Sequence, residues 1–240
     1  MTDTYISIDL ETTGLEPKHD KIIEIGALRV EKGQITGSFS TFVNPGRKLD
    51  ERITELTGIR DEELAQAPYI QTVLPKLIEF MGDLPILGHS ILFDFSFLKK
   101  AAVNERLIFE KNAIDTLKIA RKYLAELESR SLDYLCNHYQ IPHQAHRALE
   151  DAKATHFLYG KLVEEFYDKE QGGLFNPLPL SYQVKRDTPA TKAQKEQLLR
   201  LLEQKNICLP VDIERLTRSE ASRYVDKIKS GQISGVNDAE

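Results

Sequence analysis

Tyr5-Ile6-Ser7-Ile8-Asp9-Leu10-Glu11-Thr12-Thr13-Gly14 is the stretch on which the fold turns. Its first six residues are β-rich and put apolar side chains on both faces, the pattern of a strand covered on both sides. Asp9 and Glu11 stand two apart at its end, so both carboxylates share one face. Two like charges held together cost free energy unless a cation neutralises them. On a solvated strand the same Asp-x-Glu would be ordinary surface; at the end of a covered strand it points to a metal.

Outward from this strand, Ile22 to Val30 repeats the β pattern, and a Lys32-Gly33 turn leads into Gln34 to Val43, a three-stranded antiparallel opening. The period then changes. Leu74, Leu77, Ile78 and Met81 fall at helical spacing, and Pro85-Ile86-Leu87-Gly88 reads as a short buried strand. Helical faces follow at Phe97, Leu98, Ala101 and Ala102, at Leu117, Ala120 and Leu124, and at Leu132, Leu135 and Cys136. A last helix is expected from about Ala148 to Tyr167. Strands first and mixed elements after predict an α/β sheet with helices packed against it. The Gly- and Pro-punctuated stretch before Pro189 has no period and reads as a linker. Beyond it, Leu198, Leu199, Leu201 and Leu202 predict an amphipathic helix, and Thr217-Arg-Ser-Glu220 has capping-box spacing before another. The expected organisation is a main domain over 1–170, a linker over 171–189 and a small helical module over 190–231.

A length of 240 residues and 41% hydrophobic content allow a full core plus a smaller appendage. No apolar run is long enough to cross a bilayer and no basic stretch precedes an apolar signal core, so a cytoplasmic protein without membrane contact is expected. Cys136 and Cys208 lack disulfide or zinc-ligand spacing and read as reduced packing residues. The net charge of −5 argues against binding nucleic acid by bulk positive charge. Its distribution is uneven: residues 185–230 hold eleven Lys/Arg against seven Asp/Glu.

Asp94 follows Gly88-His89-Ser90-Ile91-Leu92-Phe93 at the entrance to a helix, where capping competes with a site role. Asp115, in similar company before Thr116-Leu117, reads as a cap. His146 and Asp151 are five apart and on one helix would diverge by about 140°. The histidine therefore belongs in the loop before the last helix, with Asp151 in its first turns facing the strand end. His138 and His143 have no carboxylate at a useful interval and read as surface, leaving no cationic side chain among the four acids.

Taken together, Asp9-x-Glu11 with Thr12-Thr13-Gly14-Leu15, Gly-His-Ser-(x)3-Asp94-Phe-x-Phe-Leu, and His146-(x)4-Asp151 resemble, in order and spacing, the three motifs of the DEDDh exonucleases. The resemblance covers roughly residues 3 to 167 and is nearest to the proofreading epsilon subunit of bacterial DNA polymerase III and the exonuclease segment of Gram-positive replicative polymerases. It implies an RNase H-like mixed sheet flanked by helices, two Mg²⁺ or Mn²⁺ ions, and hydrolysis of single-stranded 3′ ends to 5′-nucleoside monophosphates. It also implies roles. Asp9, Glu11, Asp94 and Asp151 hold the metals, and His146 is the general base. Thr12 and Thr13 contact the terminal nucleotide through backbone groups, Leu15 wedges beside the last base, and His89, Ser90 and Phe93 complete the strand site, with Phe97 assigned to the core.

One residue departs from the pattern: Ser90 stands where the common form has Asn, and serine lacks the amide's second hydrogen-bonding group. DNA is the expected substrate, with RNA 3′-end trimming or small-RNA degradation as the alternative. No polymerase motifs accompany the domain, so a free-standing nuclease or a subunit with a polymerase or repair partner is expected. An internally cutting nuclease would not need a wedge at Leu15, and a binding module without chemistry would not need all five acid and histidine positions.

Overall fold

The computed structural model describes residues 2–167 and 172–233. Its chain divides into two units, one of residues 1–45 and 49–184 and the other of residues 46–48 and 185–240.

The first unit is built on β1 (Tyr5–Thr12), where Ile6, Ile8 and Leu10 are buried on one face and Tyr5 and Ser7 on the other. β2 (Ile22–Glu31) and β3 (Gln34–Phe42) add antiparallel on one side. Lys32 and Gly33 turn between them with φ of 52° and 75°, the left-handed pair a tight hairpin requires. On the other side β4 (Ile86–Gly88) and β5 (Asn112–Asp115) run parallel to β1, and β6 (Leu178–Pro179) closes the sheet antiparallel. The order β3-β2-β1-β4-β5-β6 makes β1 an interior strand of a mixed sheet, the expected RNase H-like architecture.

Helices α1 (Glu51–Thr57) and α2 (Asp61–Ala65) follow β3, and their Ile59 and Leu64 neighbourhood packs on Ile23. α3 (Ile70–Met81) and α4 (Leu92–Glu105) cover the Ile6-Ile8-Leu10 face through Val73, Leu74, Leu77, Phe95 and Leu98. α5 (Thr116–Tyr123), α6 (Leu132–His138) and α7 (Ala148–Phe166) build the core of the opposite face with Ile119, Leu135, Leu158 and Leu162.

The stretch expected as a linker contributes to this unit: Gly172–Phe175 forms a 3₁₀ turn, Phe175 is fully buried, and β6 pairs with β5. An aperiodic Gly-Pro sequence conceals such a role because one aromatic anchor and a two-residue bridge leave no period to read. The expected boundary at residues 170 and 171 lies outside the described residues.

The second unit contains α8 (Lys192–Lys205) and α9 (Arg218–Lys229). Thr191 with Gln194, and Thr217 with Glu220, close two capping boxes. Leu198, Leu202, Leu216, Ala221, Val225 and Ile228 form its small core. Gly46–Lys48 belongs here by pairing, with Lys48 N–H donating to Pro210 C=O (3.2 Å) and Asp212 N–H to Gly46 C=O (3.0 Å). Among the described residues no helix is long and apolar enough to cross a membrane.

Candidate active site

Asp9 and Glu11 follow Tyr5 and Ser7 on the β1 face that meets α7, where the Ser7 hydroxyl donates to Ala152 C=O (2.6 Å). What lets the first turn of α7 come so close is Gly26 of β2, in register with Asp9. A Cβ at that position would overlap the backbone of Ala148 and Leu149. The helix therefore enters over the sheet and delivers Asp151 to the strand pair. Carboxylate oxygens of Asp9, Glu11 and Asp151 all lie within 4.8 Å of one another.

Asp94 comes from the first turn of α4. Instead of capping its own helix entrance, its Oδ1 accepts the Leu10 N–H (3.0 Å), which ties it to β1 between the other two acids. All four acids line one cleft of about 420 Å³ with Leu15, His89, Ser90, Phe93, His143 and His146.

Burial and mutual repulsion shape the electrostatics. Asp9 is pushed well above the usual carboxylate range by desolvation first and then by Asp94, Asp151 and Glu11. Burial, Asp151 and Glu24 push Glu11 up to about 8. Asp94 and Asp151 are raised mainly by burial. Four carboxylates crowded together at partial burial are a hard-oxygen donor set that Mg²⁺ or Mn²⁺ fits, because a divalent cation would offset both their desolvation and the repulsion that raises Asp9, Glu11 and Asp94.

The neighbouring residues fix this arrangement in ways the sequence did not disclose. Glu24, only 3% exposed, accepts from the Arg147 guanidinium (3.1 Å) and from Ala148 N–H (3.2 Å), pinning the start of α7. Asp115 is the expected cap, accepting from Leu117 N–H (3.0 Å) and Lys118 N–H (3.4 Å), and it also accepts from Ser90 N–H (3.0 Å). Ser90 has φ of 67°, a left-handed position at which Asn is enriched, which supplies a backbone reason for the residue the common motif carries there.

His146 lines the cleft from the loop before α7, as expected, with φ of 64°. The reading of His143 as an unpartnered surface residue is corrected: its Nδ1 bonds Asp133 (2.9 Å) and its Nε2 bonds Asp151 Oδ1. Both ring nitrogens are thereby engaged by carboxylate oxygens. An imidazole thus stands against one of the four acids. Asp133 is ten residues before His143 and Asp151 eight after, so only the fold brings them together; the period-based signal was absent.

The expected strand contacts divide. Leu15 is 81% exposed at the cleft, and Phe93 lines it with its ring 5.0 Å from that of core residue Phe97. His89 is in the wall with both ring nitrogens engaged, Nε2 by Arg130 C=O (2.8 Å) and Nδ1 by the Thr116 hydroxyl (2.9 Å). Thr12 and Thr13 are not among the cleft-lining residues described: the Thr12 hydroxyl donates to Gly14 C=O (2.7 Å) and Thr13 N–H to Lys21 C=O (2.9 Å).

These motifs and this geometry are those of an exonuclease, and the sequence matches the exonuclease family (RNase_T) over residues 6–159. The chain belongs to that family. It is 39% identical to the DNA polymerase III subunit epsilon of Aquifex aeolicus over 168 residues, which is 69% of this chain and 83% of that protein. It is 35% identical to a PolC-type DNA polymerase III of Oceanobacillus iheyensis over 95% of this chain, second unit included, but spans only 17% of that protein's length. Among solved structures, Exonuclease X in complex with 5′-overhanging duplex DNA superposes with a TM-score of 0.54 at 26% identity, covering 70% of this chain and 96% of that one.

Proposed function

We propose that this chain removes nucleotides from single-stranded 3′ ends, DNA in the first place, releasing 5′-nucleoside monophosphates. The observation that carries the reading is the convergence of Asp9, Glu11 and Asp151 within 4.8 Å, with Asp94 held beside them by Leu10 N–H, in a cleft whose rim bears the exposed Leu15.

Asp9, Glu11, Asp94 and Asp151 would hold two Mg²⁺ or Mn²⁺ ions. Bound there, the cations supply an acidified water and positive charge at the leaving 3′ oxygen. His146 accepts the proton of the attacking water at a ring nitrogen, a general-base role that imidazole can fill. Leu15 and Phe93 offer an apolar edge and an aromatic face to the last bases, which favours stacking over base-edge readout and so little sequence preference. Carboxylates bring the substrate no positive charge of their own, so turnover depends wholly on the divalent cation.

DNA is preferred over RNA because the relatives named above are DNA polymerase III components, and the same names support assembly with a polymerase. Residues 1–170 are assigned the catalysis and 190–231 an accessory role. Purified protein with 5′-labelled DNA and RNA oligonucleotides, linear and circular, in Mg²⁺, Mn²⁺ or EDTA tests this. Linear DNA should shorten stepwise from its 3′ end, with circles intact and no reaction in EDTA. Undiminished hydrolysis in EDTA or cutting of circles would overturn it, and preference for RNA would move the substrate to the alternative.

A further inference from the structure

Asp151 is held from both sides. Its Oδ2 accepts the Arg147 N–H (3.1 Å) and its Oδ1 accepts from His143 Nε2. Each oxygen keeps a second lone pair, and these remain for the space shared with Asp9 and Glu11. His143 is in turn fixed through Nδ1 by Asp133, in the first turn of α6. The ring is 7% exposed and the Asp151 side chain 10%, so the bond between them is shielded from water, whereas Asp133 at 52% stands at the surface. The line Asp133–His143–Asp151 ties α6 to α7 through the loop that also carries His146.

We propose that His143 is a positioning residue for the reaction, orienting the Asp151 carboxylate toward Asp9 and Glu11 for cation binding, with Asp133 setting the ring. A ligand carboxylate with only one fixed oxygen can swing about its side-chain torsions, and the broad terminal torsion of Asp offers little resistance. A second hydrogen bond removes that freedom before the cation arrives, and partners of this kind are worth about 10–100-fold in metal affinity or activity. The opposite role is physically open to the same geometry: a ring bonded to Asp151 Oδ1 could compete with the metal for that oxygen. The two roles differ in the sign of the change in metal affinity when the ring is removed.

This inference rests on the proposed function for its meaning, and its test does not. Mn²⁺ binding to the full-length protein alone, read by electron paramagnetic resonance of the free ion, is compared for wild type, H143A, H143Q and D133N, together with kcat and KM on a single-stranded DNA oligonucleotide. Expected for H143A is Mn²⁺ binding about 10–100-fold weaker and a kcat lower in the same range, with KM little changed. H143Q, whose amide still donates, recovers part of the loss. D133N moves both readouts in the same direction by less, and adds nothing on the H143A background. Unchanged or tighter Mn²⁺ binding by H143A overturns the proposal, the tighter result assigning the ring to competition. If H143A does not fold by circular dichroism, D133N on its exposed carboxylate decides alone, and unaltered affinity there overturns it. Weaker Mn²⁺ binding in a protein that hydrolyses no nucleic acid would remove the proposed function and leave the positioning role standing; normal hydrolysis with an unaffected H143A would do the reverse.

Discussion

The end of β1 and the second unit treat charge in opposite ways. At β1 the chain crowds Asp9, Glu11, Asp94 and Asp151 together against desolvation, and each is raised above its ordinary range. In the second unit charges lie on the outside of a small apolar core and are matched locally, as in Lys195 with Glu214 (2.6 Å) and Lys192 with Glu196 (3.9 Å). Both of its helices begin with complete capping boxes. One region obeys every local rule for stability, and the other breaks the rule against burying like charges. Such violations persist where function requires them, so the contrast should appear as opposite responses to charge removal.

The largest effect is expected for Asp9→Asn. The amide keeps the volume but loses the charge at the centre of the cluster, so turnover should fall to background while the protein still folds. Because a repelled buried charge is removed, the metal-free variant should melt above metal-free wild type at alkaline pH, the trade of activity for stability seen at strained sites. A near-normal rate, measured by release of mononucleotides, would show the site to be misplaced.

His146→Ala should lower the rate by about 10²–10⁴-fold with strand binding retained, the range of general-base catalysis. Retention of the original rate would assign the base to another group.

A subtler effect concerns pH and stability without metal. Glu11 titrates at about 8 in the fold against 4.5 in the unfolded chain. The folded state then binds more protons between those values, so the linkage slope is negative and stability is lost as pH rises from about 5 towards 8. The raised Asp9, Asp94 and Asp151 act in the same direction. Thermal melts of metal-free protein should therefore fall across this window, Glu11→Gln should flatten the fall, and Mg²⁺ should abolish it. A melting temperature that rises with pH would contradict the repulsive cluster.

How much of this was legible in the sequence follows from the range of each signal. The Asp9-Glu11 pair, Asp94 before its helix, and His146 with Asp151 are local patterns, and strand and helix periods place them. Asp133, His143, Glu24 and Arg147 act through partners eight to more than a hundred residues away, and nothing in their own surroundings marks them. Gly26 illustrates the same limit. In the sequence it is one glycine in a strand, and only its register opposite Asp9 and the backbone of Ala148 explain why a side chain is excluded there. The periods also passed over β5 and β6, four and two residues long, because elements so short complete too few repeats to be read.

The smallest effect is expected in the second unit. Over residues 46–48 and 185–230 it carries thirteen Lys/Arg against seven Asp/Glu, while the whole chain has a net charge of −5. We infer that it assists binding of long strands and leaves the chemistry alone, because every acid of the cleft lies at or before Asp151. Removing residues 186–240 should leave hydrolysis of very short oligonucleotides nearly unchanged and weaken binding of longer single strands. That weakening should shrink as salt rises, since an electrostatic contribution gives way to counterion competition. Truncation also takes away the partners of Gly46–Lys48, so a second variant, K227E with K229E in the last turn of α9, reverses charge without removing the fold. Binding isotherms on a long single strand at low and high salt distinguish the outcomes. Equal affinity of wild type and both variants at low salt would remove the nucleic-acid role, and the surface of α8 and α9 would then be the place to look for a protein partner.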